Sequence, residues 1–190
     1  MADTLKIQSP LAGKAMSLGE TYLDAVEGFS LTSLAVPRKG EEAFAEAVAA
    51  NLPVALPLPL PGQSTLSDNR RVRLISQGVD QYFLLNLDEA HPDERTLGAR
   101  LGDKAYLCDQ SDAWVMLRLS GPSARAALER LCMLDLDPTQ FPVHSAGRTT
   151  MEHLGVLIVA EAQDTFLLLS ASSSAQSFWT AVEHSLTYAA

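Results

Sequence analysis

The sequence predicts an α+β fold of two ferredoxin-like, βαβ-type halves joined as one unit. Three observations predict it. Strand-like alternation and helix-like apolar stripes follow one another twice in the same order. The halves align without a gap at an offset of 83 residues, which lays Leu74-Ile75 on Leu157-Ile158, Phe83-Leu84-Leu85 on Phe166-Leu167-Leu168 and Leu31 on Trp114. The composition is that of a chain with enough apolar material to fold, 47% hydrophobic and 19% charged over 190 residues.

The first 28 residues read as an N-terminal arm. Its opening, "MADTLKIQSPLAGKAMSLGE", has scattered charges and no apolar run, so it is neither a secretory signal nor a membrane anchor. Lacking periodicity, the stretch up to about Gly19 is expected to order only against a partner.

The first half, residues 29–112, opens with the alternating strand "FSLTSLAV". A turn at Pro37-Arg38-Lys39-Gly40 leads to a helix, "EEAFAEAVAANL", whose Glu41 and Glu42 suit the positive end of the helix dipole. Phe44, Ala47, Val48 and Leu52 share its inner face. "LPVALPLPLPGQST" alternates proline with apolar residues, which rules out helix and central strand and predicts a surface crossover. The same stretch would also serve an adaptor that engages a proline-reading partner. Strands "RVRLIS" and "QYFLLN", a helix from about Pro92 to Leu101 and a strand "KAYLC" complete this half.

The second half, residues 113–190, repeats the order. "AWVMLRLS" is a strand, and Gly121-Pro122 is a turn with proline at the first helical position. Ala124, Ala127, Leu128, Leu131 and Cys132 form a helical stripe. After a crossover, "AGRTTME", "GVLIVAE" and "TFLLLSA" read as a meander. "SSSAQSFWTAVEHSL" closes the chain as a helix that Ser172 to Ser174 are placed to cap.

Charge and motif content narrow the chemistry. A net charge of −9 opposes a nucleic-acid partner, which needs clustered cations to displace counterions. The basic group Arg70-Arg71-Arg73 has no interleaved aromatics and reads as a solvated strand end. Gly121 stands without the further glycines of a phosphate loop, and Ser120 follows Leu119 rather than the small residue of a nucleophile elbow. His91, His144, His153 and His184 fall at no metal-ligand spacing. Met151-Glu152-His153 is the densest polar group in the strand region and would make an acid–base pair only if the strand faced a cleft. Asp109 and Asp112 read as linker caps, and Trp114 and Trp179 as core. Cys108 and Cys132 occupy apolar registers, which predicts buried free thiols in a reducing, cytoplasmic setting. From the residues alone there is no catalytic, cofactor-binding or metal-binding constellation.

Two longer stretches add a resemblance. "AWVMLRLSGPSARAALERLCMLDLDP" and "RTTMEHLGVLIVAEAQDTFLLLSASSSAQSFWTAV" resemble the folate-binding region shared by aminomethyltransferases of the glycine cleavage system and their relatives. Within that superfamily the "SPLAG" arm, the "FPVHSAGRTTMEHLG" crossover and the "LLLSASSSAQSF" ending are most similar to the gamma-subunit family of heterotetrameric sarcosine oxidases. The resemblance implies a non-catalytic structural subunit. Its larger partners would bind FAD, FMN, NAD and tetrahydrofolate, and a small fourth subunit would complete the complex, with neither nucleic acid nor membrane as partner. It also implies that the catalytic relatives carry an acidic pair shortly after the hairpin glycine. Here Gly155 is followed by Val156, Leu157, Ile158, Val159 and Ala160. The alternative is a free-standing folate-binding or aminomethyltransferase-like protein. Ser9, Pro10, Leu11, Met151, Glu152 and His153 are the expected partner-facing residues.

Overall fold

The computed structural model describes residues 8–54, 56–87 and 94–189. Eleven strands and four helices succeed one another in that span. A hairpin of β1 (Ala15–Leu18) and β2 (Thr21–Val26) comes first. The first repeat then runs β3 (Ser30–Ala35), α1 (Glu41–Asn51), β4 (Ser64–Leu66), β5 (Val72–Ser76), β6 (Gln81–Asn86), α2 (Glu94–Leu101) and β7 (Tyr106–Asp109). The second runs β8 (Trp114–Ser120), α3 (Ala124–Glu129), β9 (Ala146–Met151), β10 (Leu154–Ala162), β11 (Thr165–Ala171) and α4 (Ala175–Ala189).

The strands form two antiparallel sheets, a five-stranded one ordered β4-β5-β6-β3-β7 and a six-stranded one ordered β1-β2-β8-β11-β10-β9. Each sheet buries one face under its own helices: Phe44, Val48, Leu97 and Leu101 cover the first, and Phe178, Trp179, Val182 and Leu186 the second. The remaining faces pack on each other. Leu31, Ile75, Phe83 and Leu85 from one sheet meet Met116, Leu157, Val159, Leu167 and Leu169 from the other. The result is helices, sheet, sheet, helices. Strands covered on both faces cannot alternate apolar with polar, which is why Val156–Ala160 and Phe166–Leu169 read as unbroken apolar runs.

The repeat is real in element order but not in the gap-free register. Ile75 and Phe83 lie between the sheets, whereas Ile158 and Phe166, their counterparts at an offset of 83, lie beneath the helices. Successive strand residues point to opposite faces, so an odd slip separates the two copies there. Leu31 and Trp114 do share the inter-sheet layer.

The expected arm is corrected. Among described residues, Ala15–Leu18 and Thr21–Val26 are strands, and β2 pairs with β8 from Tyr22 opposite Ser120 to Val26 opposite Met116. Beside β8 it takes the place that β7 takes beside β3 in the other sheet. The N-terminal segment thus completes the sheet of the second repeat. Leu11, only 1% exposed, is buried in the same core. Two smaller expectations also change. Ser172–Ser174 form a 3-10 turn without a side-chain cap, and Cys108 is exposed while Cys132 is buried. Burial pushes the Cys132 thiol above its ordinary value. Part of the expected helix from Pro92 and His91 itself lie outside the described residues.

The Ser-Gly-Pro turn now has a structural explanation. Gly121 has φ 116°, and a Cβ placed on it would sit 2.3 Å from the Glu20 carbonyl oxygen and 2.6 Å from Thr21 Cα. The Thr21 hydroxyl oxygen accepts the Ser123 N–H at 3.1 Å. The turn is the seat of the β1–β2 hairpin. Gly121→Ala is therefore expected to lower unfolding free energy by at least about 2 kcal/mol, since backbone on both sides must move. Urea denaturation of the purified chain measures this, and a loss below about 0.5 kcal/mol would contradict the seat.

Candidate functional site

The expected partner-facing residues divide by burial. Met151 is fully buried and Leu11 nearly so, and both pack in this chain's own core, so their side chains are not available to a partner. Glu152 and His153 are exposed at the tip of the β9–β10 hairpin. Met151 pairs with Leu154, leaving a two-residue turn in which both residues have positive φ, 42° and 74°. Such turns favour Asn-Gly, because a Cβ crowds the neighbouring carbonyl in this region, which Gly avoids and Asn tolerates through local hydrogen bonds. Both side chains are exposed, and neither lines a cavity described below, so nothing in the geometry supports an acid–base pair there.

Ser9 and Pro10 line one cavity of about 400 Å³ together with Glu27, Asp109, Asp112 and Trp114. Two of its three carboxylates, Glu27 and Asp109, hold neighbouring groups of the chain. Glu27 accepts the Gly13 N–H at 2.8 Å, and Asp109 accepts both the N–H and the hydroxyl of Ser111. Trp114, read from sequence as core, is only half-buried and also walls a second cavity of about 300 Å³ with Arg148, Gly155, Leu157 and Ser170. Trp179 is buried as expected.

A third feature escaped sequence reading. Arg73, expected to be solvated, is 2% exposed, and it points between the sheets because it shares a face with Ile75. Its Nη1 donates to Ser64 Oγ at 2.8 Å and lies 3.2 Å from His144 Nδ1. The Ser64 N–H and hydroxyl both donate to the His144 carbonyl. Main-chain bonds from Ala146 N–H to the Gly62 carbonyl and a bridge between Gln63 and Ser145 tie the two sheets at this seam. Desolvation lowers the Arg73 pKa, partly offset by Glu161, which itself holds Arg118 through two hydrogen bonds of 2.7 and 3.0 Å. Partial desolvation, then Arg73, then Arg70 hold the imidazole of His144, a residue that is otherwise exposed, below its ordinary pKa. Nδ1 facing a guanidinium donor must be unprotonated, which places the ring proton of the neutral form on Nε2. Together these contacts form a polar lock between the two sheets.

The five positions after Gly155 carry no side-chain oxygen, and all are buried. Val156, Ile158 and Ala160 lie beneath the helices, and Leu157 and Val159 lie between the sheets. Among the described residues no group of three or more His, Cys, Asp or Glu side chains is placed to hold a metal, and no helix is long and apolar enough to cross a membrane.

Comparison with known proteins places the chain. The model of the sarcosine oxidase, gamma subunit family matches residues 39–187. The sarcosine oxidase subunit gamma of Corynebacterium sp. (strain U-96) is 29% identical over 135 residues, which are 70% of this chain. The chain spans 62% of that relative's length. Among solved structures, a chain of the heterotetrameric sarcosine oxidase from Corynebacterium sp. U-96, in complex with pyrrole 2-carboxylate, is similar with a TM-score of 0.74 at 24% identity. That similarity covers 88% of this chain and 84% of the other. The glycine cleavage system aminomethyltransferase T from Bartonella henselae is similar with a TM-score of 0.62 at 19% identity, over 86% of this chain and 45% of that one. At these identities the two structures establish the shared fold.

Two outcomes are expected from this geometry. The folded His144 takes up a proton less readily than the unfolded chain, so stability that is fully present above about pH 6.5 is lost progressively as the pH falls from there through the lower folded-state value. His144→Asn tolerates the left-handed backbone at φ 75° and has no charge to gain, so its stability should decline less between pH 7 and 5. Denaturation midpoints at several pH values check this, and parallel profiles would contradict it. Replacing the strained tip by Glu152→Asn with His153→Gly should raise stability by about 1 kcal/mol, read from the same curves.

Proposed function

Because the chain belongs to the sarcosine oxidase gamma subunit family, we propose that it is the small, non-catalytic structural subunit of a heterotetrameric sarcosine oxidase. In this reading the complex demethylates sarcosine oxidatively to glycine, produces hydrogen peroxide and passes the one-carbon unit to tetrahydrofolate. FAD, FMN, NAD and the folate are held by the larger subunits, and a small fourth subunit completes the assembly. The two free thiols fit a reducing, cytoplasmic setting.

One observation carries the reading. The β10 strand after Gly155 is used up in packing on both faces where the resemblance places an acidic pair in catalytic relatives. A carboxylate at Val156, Ile158, Val159 or Ala160 would be buried in an apolar layer, which proteins avoid at a cost of several kcal/mol when the charge has no partner. The scaffold survives, and the positions that would hold chemistry serve cohesion.

The complex supplies the test. Co-expressed with a flavin-binding amine oxidase subunit and a large dinucleotide-binding subunit, the chain is expected to co-purify at a fixed stoichiometry. Alone, it should produce no sarcosine-dependent peroxide. Peroxide production by the isolated chain, or micromolar tetrahydrofolate binding to it by calorimetry, would favour the free-standing folate protein instead.

A further inference from the structure

We propose that the open edge of β9 receives an extended segment of a partner subunit, added as a further strand, with an acidic side chain on Arg148 and an apolar one in the cavity beside Trp114. The proposal rests on the subunit reading above and names the surface that reading leaves unassigned.

The edge itself is the first observation. β1, β4, β7 and β9 end the two sheets, with lengths of four, three, four and six residues. The longest is β9, and from Gly147 to Met151 no described strand pairs with its outer side. Ala146 directs its N–H away from β10, onto the Gly62 carbonyl. Main-chain groups alternate along an antiparallel strand, so the N–H groups of Arg148 and Thr150 also point outward. Its sequence, "AGRTTM", has neither proline nor lysine, two common means of discouraging strand addition, and no acid.

Arg148 is the second. Its Nε donates to Gln77 Oε1 at 2.7 Å, and its guanidinium carbon lies 5.8 Å from the ring centroids of both Phe83 and Trp114. The side chain is exposed yet held from two directions, which presents its remaining donors as a fixed fork. Such a fork matches a carboxylate. In a chain of net charge −9, a cationic strip without acids selects an acidic rather than a basic segment.

The cavity is the third. It opens beside the same edge, holds about 300 Å³ and is walled by Trp114, Arg148, Thr149 and Leu157. A Cβ built on Gly155, also in its lining, meets nothing within 4 Å. Strand addition typically draws affinity from main-chain bonds and specificity from such side-chain pockets. The volume suits one large apolar side chain.

The assembled complex decides the matter. Thr150→Pro removes one outward N–H without touching the ladder to β10, Arg148→Glu reverses the fork, and Gly155→Leu fills the cavity. With melting temperatures close to the parent chain, each should weaken association with the other subunits at least tenfold by titration. In the parent complex, hydrogen exchange of the Arg148 and Thr150 amides should slow at least tenfold relative to the free chain, a readout that needs no variant. Unchanged exchange there in a complex that does assemble, or undiminished association of all three variants, overturns the edge while leaving the subunit reading intact. Protection of the same amides in the isolated chain through self-association would also overturn it, since the occupant would be a second copy. Failure of the parent chain to assemble at all would instead defeat the subunit reading.

Discussion

The structure depends on the need of two antiparallel sheets to hide a second face. Each has helices on one side only, and neither repeat covers the other side alone. Packing the two bare faces together forms the layer of Leu31, Ile75, Phe83, Met116, Leu157, Val159 and Leu167. At roughly 25 cal/mol per Å² of apolar area removed from water, such a layer is a leading stabilising contribution, though one estimated from an extended reference chain. It also carries a cost. Arg73 is buried in the seam with Nη2 unpartnered, and it is retained where Ser64, His144 and the main chain tie the sheets together. The apolar layer supplies the cohesion, and the polar seam fixes how the sheets meet.

That arrangement explains why the scaffold fits a structural role. Positions on strands covered twice can hold only side chains that both layers accept. Val156 to Ala160 meet that condition, and a reactive carboxylate would not. What remains accessible lies at the margins: the hairpin tip, the β9 edge and the two cavities that share Trp114.

Legibility followed the range of the interactions involved. The ends of β6 and β11 coincide with the runs "QYFLLN" and "TFLLLSA", and α1 follows its acidic first turn and its Phe44–Val48 spacing. These depend on neighbours in sequence. The β1–β2 hairpin was missed because it is short and half-buried, although Thr21 and Leu23 alternate with an exposed Tyr22 and Gly19 supplies the turn at φ 58°. Arg73 could not have been found, because its burial depends on packing against the second sheet and on His144, both far along the chain. The register error has the same origin. Letter matching laid Ile75 on Ile158, while the faces they occupy are set by stacking. The candidate site was partly legible: of the residues read as partner-facing, Glu152 and His153 are exposed, whereas Leu11 and Met151 are inside, and Arg148 was not singled out.

The placement of β2 beside β8 has a consequence for how the molecule is made. The strand at Thr21–Val26 pairs with one at Trp114–Ser120, so it must wait for most of the first repeat to be synthesised before its partner exists. Pairings between distant stretches close large loops and form late. The β1–β2 segment is therefore among the last of the described strands to settle, and it fastens the stretch before the first repeat to the opening strand of the second. Cutting between the repeats would leave the C-terminal fragment missing two strands that the N-terminal fragment carries but has no sheet to receive.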